Sequence, residues 1–308
     1  MGRLPTLIAS SVIRGTELGE SHGGLYLIDL DRGVVDLKLD WNRTGIDVGG
    51  RGGDRGLRGI AFHGQHVLVA ANSELLVFDH DFSLVESFTN PYLRHCHEIS
   101  VAGDLVFLTS TGVDSVLTFN LQRKRFVGGW HLDSAGDALS LRPFDPSSAA
   151  GPAESNRFHL NSVTASTAGI WLSGLNTPGL LYADSDGLSL VTQLPRGTHN
   201  AQLLGGGVLY NDTPADRVCY TRNGTMTAMA VPEFNPKEII GADRYASELA
   251  RPGFARGLCA LRDGLIAAGS SPSTVSLYDL RDGRRILQQN LSMDVRNAVH
   301  GLAVWPYS

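Results

Sequence analysis

Cysteine is scarce in this 308-residue chain: Cys96, Cys219 and Cys259 stand far apart and odd in number. Such a set supports no disulfide framework, and a reducing cytoplasm is the compartment it implies. An excess of basic charge is missing too. With 26 Lys and Arg against 31 Asp and Glu, the net charge is -5, which offers no surface for nucleic acid. No apolar run approaches the roughly 18 residues of a membrane span. The opening MGRLPTLIASSVIRG has neither a long apolar core nor a small-residue cleavage site, so no secretory signal and no membrane partner are expected. Helical periodicity is nearly absent as well; PKEIIGADRYASELA, from Pro236 to Ala250, carries the best of it.

Glycine, by contrast, is abundant at 36 residues, and apolar runs are short and bounded by Gly, Asp, Asn or Ser. That is strand punctuation. The runs also repeat. LRGIAFHGQHVLVAAN from Leu57, CHEISVAGDLVFLTST from Cys96 and FHLNSVTASTAGIWLSG from Phe158 share one layout with THNAQLLGGGVLYND from Thr198 and ARGLCALRDGLIAAGSS from Ala255. VHGLAVWP from Val299 begins a sixth copy. Each opens on a basic residue: Arg58, His97, His159, His199, Arg256 and His300, spaced by 39, 62, 40, 57 and 44 positions. In the first five copies the second strand ends 13 or 14 positions later, at Asn72, Ser110, Ser173, Asp212 and Ser270.

Repetition near 40 residues with about four strands per unit indicates an all-β, six-bladed β-propeller; five or seven blades are the neighbouring solutions of the same pattern. The sixth copy lacks later strands, and LPTLIASSV, GGLYLIDLD and VVDLKLDW at the other end of the chain supply them. The last blade is therefore expected to be closed by N- and C-terminal strands, giving one domain over residues 1–308 and no free sheet edge at the closure. Three longer stretches, about 42–56, 130–157 and 231–253, precede innermost strands and are expected to act as lids.

In such a ring the residues that open innermost strands converge at one mouth of the channel. Four imidazoles there, His97, His159, His199 and His300, suit a divalent metal, iron(II) first, with open coordination positions for catalysis. Arg58 and Arg256 would hold an anionic part of a small organic substrate. This reading is a metal-dependent oxidoreductase or lyase. A second drops the metal: a histidine acts as acid or base and the arginines stabilise a developing anion, as in a lyase, isomerase or cyclase. A third is a non-catalytic ligand- or protein-binding propeller. Asn72, Asn161 and Asp212 are candidate substrate contacts. Strand alternation places Asn161 on the face of His159 and turns Glu98 and Asn200 away from the channel; Glu98 is the candidate to orient a histidine.

GFARGLCALRDGLIAAGSS (Gly253 to Ser271), FHLNSVTA (Phe158 to Ala165) and LPRGTHNAQLLGGGVLYND (Leu194 to Asp212) resemble the repeats of a bacterial propeller family of unassigned function. That family carries FARGL-, HLNGLA- and PHSPRW-like motifs. The resemblance spans the second half of the chain and implies the propeller with its His/Arg ring, but no reaction. The expected architecture is also similar to gluconolactonases and strictosidine-synthase-like proteins. The gluconolactonase-type metal site uses Glu, Asn and Asp, so its chemistry does not transfer. Carotenoid oxygenases place iron on four propeller histidines but are longer and seven-bladed, an analogy of site design alone.

Overall fold

A computed structural model describes residues 3–43, 56–136, 138–243 and 250–307. Twenty-five strands carry the fold, and no α-helix occurs among the described residues. They are β1 (Thr6–Ile13), β2 (Gly24–Asp29), β3 (Val34–Asp40), β4 (Ile60–His63), β5 (His66–Ala70), β6 (Glu74–Phe78) and β7 (Leu84–Thr89). There follow β8 (Ile99–Ala102), β9 (Leu105–Ser110), β10 (Ser115–Asn120), β11 (Arg125–Ala135) and β12 (Ala138–Phe144). Next come β13 (Leu160–Ala165), β14 (Ile170–Gly174), β15 (Gly179–Asp184), β16 (Gly187–Gln193), β17 (Thr198–Leu204) and β18 (Gly207–Asp212). The last are β19 (Arg217–Arg222), β20 (Thr225–Ala230), β21 (Gly253–Ala260), β22 (Leu265–Ser271), β23 (Thr274–Asp279), β24 (Arg285–Asn290) and β25 (Asn297–Val304).

These strands form six antiparallel sheets, the six blades of a β-propeller. Five are runs of consecutive strands: β4 to β7, β8 to β12, β13 to β16, β17 to β20 and β21 to β24. The sixth has the order β25-β1-β2-β3, with Leu302 opposite Ala9 and Val304 opposite Leu7. The closure expected from the sequence is therefore present. Composition grades across each blade. Second and third strands such as β22 (LIAAGSS) and β23 (TVSLYD) are buried throughout, because both faces meet protein. Outer strands such as β3 and β16 alternate exposed and partly buried residues, as one solvated face requires.

By its internal contacts the chain divides into two compact units, residues 1–58 with 203–308, and residues 59–202. Each has its own apolar clusters: Leu7, Ile28, Leu265, Leu277 and Val299 in the first, and Leu68, Leu75, Val106, Leu108, Leu117 and Phe119 in the second.

Two expectations need correction. The stretch 130–157 is not simply a lid: its first half continues β11 and turns back as β12, a fifth strand on that blade, with His131 opposite Arg142. Alternating apolar positions Trp130, Leu132, Leu139 and Leu141 make strand pairing the better use of this segment. Nor is Pro236–Ala250 a helix where it is described. It makes one 3-10 turn, Pro236–Glu238, capped by the Asn235 side chain, and then Ile240 bridges to Asp294. Gly241, at φ 77°, ends any helical path. Residues 244–249, and the expected lid over residues 44–55, lie outside the described residues.

Candidate functional site

Three of the six basic residues fall in each unit: Arg58, His97 and His159 just precede β4, β8 and β13, His199 is second in β17, and Arg256 and His300 lie midway along β21 and β25. The three in the unit of residues 59–202 are His97, His159 and His199. His97 and His159 come together, their ring centroids 5.2 Å apart at an interplanar angle of 63°. The three imidazoles share a hydrogen-bonding pattern. His97 Nδ1 lies 2.8 Å from the His95 carbonyl and 2.8 Å from Thr111 Oγ1. His159 Nδ1 is 2.9 Å from Asn156 Oδ1, and His199 Nδ1 is 3.1 Å from the Gly197 carbonyl. Carbonyl oxygens only accept, so each Nδ1 carries the proton and each Nε2 is the basic nitrogen.

Position is set by the preceding blade. The Asp114 carboxylate, fully buried in the turn between β9 and β10, reaches across to the lead-in of β13. It accepts from Ser155 Oγ at 2.8 Å and from the backbone N–H groups of Arg157, Phe158 and His159 at 2.7, 3.1 and 2.8 Å. Thr111 Oγ1 donates to the Leu160 carbonyl from the same turn. His159 is thereby held at φ 52°, a left-handed conformation that a non-glycine residue keeps only where its surroundings impose it.

Glu98 and Asn200 meet directly, contrary to the expectation that both turn away. Asn200 Nδ2 donates to Glu98 Oε2 at 3.3 Å, linking the β8 and β17 blades across 102 positions. Alternation fails here because Glu98 precedes β8 and Asn200 has φ 52°. Gly59 lets the backbone close in; a Cβ there would lie 2.8 Å from Glu98 Cα and 2.9 Å from its Oε1. Glu98 is half-buried, with protein on most sides and part of its surface reaching water. Burial pushes its carboxyl up to about 8 from the usual 4.5, the Asn200 hydrogen bond working against that rise. At His97, Thr111 and the His95 carbonyl hold Nδ1.

The other candidates make contacts within the fold. Asn161 donates from Nδ2 to the Thr198 carbonyl at 3.0 Å, tying β13 to β17. Asp212 accepts the Arg217 guanidinium at 3.1 and 3.2 Å. The Asn72 carbonyl accepts from Cys96 N at 2.9 Å. Among the described residues, no group of three or more His, Cys, Asp or Glu side chains stands where it could hold one metal ion.

The unit of residues 1–58 and 203–308 holds Arg58, Arg256 and His300. Arg58 is almost fully buried, and its carbonyl accepts the Ser10 hydroxyl. Ser10 Oγ also accepts from Gly301 N at 2.8 Å, filling the bulge where the β1–β25 register skips His300 and Gly301. In β21 the register skips on both sides of Arg256, at Phe254–Ala255 and at Gly257, while Arg256 itself pairs with Gly269. Bulges of this kind re-aim a side chain out of the regular alternation.

Here the sequence held a signal that the repeat alignment did not use. TGVDSV from Thr111 and TPADRV from Thr213 follow the same T-x-x-D-x-V pattern. Thr213 Oγ1 donates to the Ala255 carbonyl at 2.9 Å, and Asp216 accepts from Phe254 N at 3.0 Å, as Thr111 and Asp114 do one unit over. Both aspartates have positive φ, 43° and 51°.

No family model matches the chain, and no curated protein does. Solved structures do match in fold. A chain of a nidogen/laminin complex aligns with a TM-score of 0.61 over 99% of this chain and 100% of its own, at 10% identity. A protein of unknown function from Bacteroides caccae aligns at 0.56, over 97% and 98%, at 11% identity. At such identities the likeness is one of fold. No helix of the described residues is long and apolar enough to cross a membrane.

Proposed function

We propose that the protein is a small-molecule enzyme that moves protons at the cluster of His97, Glu98, His159, His199 and Asn200. The observation that carries this reading is Glu98: a carboxyl that accepts from Asn200 at 3.3 Å and is pushed up to about 8 by burial, next in the chain to His97, whose ring packs on that of His159. Its environment keeps it protonated at neutral pH, able to donate a proton. A carboxyl kept protonated by burial is a group that proton-transfer enzymes use as general acid. The matching reaction class is a lyase, isomerase or cyclase acting next to a carbonyl or carboxylate. Three cysteines, none in a disulfide, support a cytoplasmic setting.

A metal-dependent oxidoreductase or lyase is the second reading, favoured by the shared Nδ1–H pattern. An oxygen acceptor on Nδ1 fixes the tautomer and turns Nε2 into a ligand. Binding iron(II) or a similar ion would require the imidazoles to close on it, since no such group is assembled among the described residues.

Deuterium exchange into a panel of keto and carboxylic acids, followed by proton NMR, tests the first reading. At least one compound should exchange with the wild-type protein, and Glu98→Gln should slow that exchange by about 100-fold or more. Metal analysis of protein purified without chelator or nickel resin tests the second. Stoichiometric metal lost in His159→Ala, with no exchange across the panel, would replace proton transfer by metal chemistry.

A further inference from the structure

Among the described residues the other five blades have four strands each, and the β8–β12 blade alone carries a fifth. Pairing of β12 with β11 makes a two-faced ribbon. Trp130 stands opposite Pro143, Leu132 opposite Leu141 and Ser134 opposite Leu139, so the large apolar side chains share one face. The other face carries Asp133 and Arg142, ion-paired at 3.2 Å. The apolar face does not close fully on the neighbouring blade. Leu132 is buried in a cluster with Phe107, Leu160 and Leu172, but between Trp130, Leu139, Leu141 and the blade of β13 to β16 a cleft of about 810 Å³ stays open. Packed interiors leave few voids larger than a water molecule, whereas clefts of about 300 to 1,000 Å³ are of the size that holds a small organic molecule.

We propose that this cleft binds a small apolar cation, a planar aromatic molecule with a protonated or quaternary nitrogen. Its lining sets that chemistry. Phe107 and Trp130 stack with ring centroids 6.3 Å apart at an interplanar angle of 20°, and Leu139, Leu141, Ile170 and Leu188 complete the walls. None of the described residues around the cleft is Lys, Arg or His, and the one that carries charge is Asp184. It is exposed at the end of β15, where its Oδ1 accepts from Asp186 N at 2.8 Å. Aromatic faces and a carboxylate with no base beside it favour a cation and repel an anion. The rings of the ligand fit among Phe107, Trp130, Leu139 and Leu141, with the charge toward Asp184. Gly103 and Ala168 of the lining sit in the β8–β9 and β13–β14 hairpin turns, at the strand ends opposite His97 and His159. The cleft is thus separate from the proton-transfer cluster and stands whether or not Glu98 transfers protons.

Fluorescence titration with thioflavin T, a planar benzothiazolium cation, tests the assignment, and its uncharged analogue lacking the ring N-methyl group is the matched comparison. Thioflavin T should bind wild type saturably, and the uncharged analogue about fivefold more weakly. Asp184→Asn can still accept from Asp186 N but removes the charge; it should weaken thioflavin T about fivefold and leave the analogue unchanged. Ala168→Trp, which brings an indole to the cleft, should block both compounds. Leu37→Gln, at an exposed position in the other unit, should affect neither. Should Ala168→Trp fail to fold, Asp184→Asn decides alone. No saturable binding, equal binding of the two compounds to wild type, or thioflavin T binding unchanged in Asp184→Asn would overturn the proposal. So would a dimer in size-exclusion chromatography that Ala168→Trp makes monomeric, since the cleft would then belong to a second copy of the chain.

Discussion

Replacing Glu98 by Gln makes the protein more stable, and increasingly so as pH rises. The carboxyl moves from 4.5 to about 8 on folding, so between those values the folded state holds a proton that the unfolded state has released. Stability then falls with rising pH, by about 1.4 kcal/mol per unit for one proton. The contribution is complete below pH 4.5, declines through the neutral range and is gone above about 8. Allowing for the part of Glu98 that still reaches water, the loss at alkaline pH is about 3 kcal/mol. An isosteric amide carries no titrating proton and can still accept from Asn200. With an unfolding entropy of about 2.1 cal/mol/K per residue, 3 kcal/mol corresponds to about 5 °C in Tm for a chain of this length. Thermal scans of both proteins from pH 5 to 9 would show the Glu98→Gln curve flatter and diverging upward. Parallel curves would mean that Glu98 ionises like a surface carboxylate, and the acid role assigned to it would fall.

Asp114→Asn should lower stability by about 3 to 5 kcal/mol, because the amide NH2 that replaces one oxygen cannot accept the two hydrogen bonds made there and faces their donors at a buried site; it should also loosen His159, seen as a displaced imidazole resonance by NMR. Gly59→Ala brings a methyl against Glu98 and the backbone at Ile99, and should cost about 2 kcal/mol or more by denaturant unfolding. Thiol titration of the native protein with an aromatic disulfide at pH 8 should find no fast-reacting cysteine. Cys96 and Cys219 are buried, and burial raises the Cys219 thiol and pushes Cys259 up to about 11.

The architecture was open to reading because a propeller repeats its hydrophobic pattern, and six copies reinforce one another where a single hairpin would be ambiguous. The shared terminal blade followed from the same count. The extra strand β12 escaped because its alternation lies inside a stretch rich in Ser, Pro and Gly, where length suggested a lid. Within the candidate site, residue types were legible and directions were not. Alternation could not foresee that Asn200 takes a left-handed backbone or that Glu98 lies just ahead of its strand, and those two details bring them together. Asp114 and Asp216 were visible as a repeated pattern; that they hold the next blade's lead-in depends on distances no spacing reveals.

The pairing of β1 with β25 also sets a timetable for synthesis. Ala9 and Leu302 are register partners, so 293 residues separate the emergence of one from that of the other. At about 5 to 20 residues per second, β1 waits roughly 15 to 60 s on the ribosome for its neighbour. Residues 59–202, a continuous stretch, can complete their own contacts within that interval. The blade of β1, β2 and β3 cannot, and β1 keeps an open hydrogen-bonding edge until β25 arrives. Nascent chains are therefore most exposed to wrong strand pairing at β1.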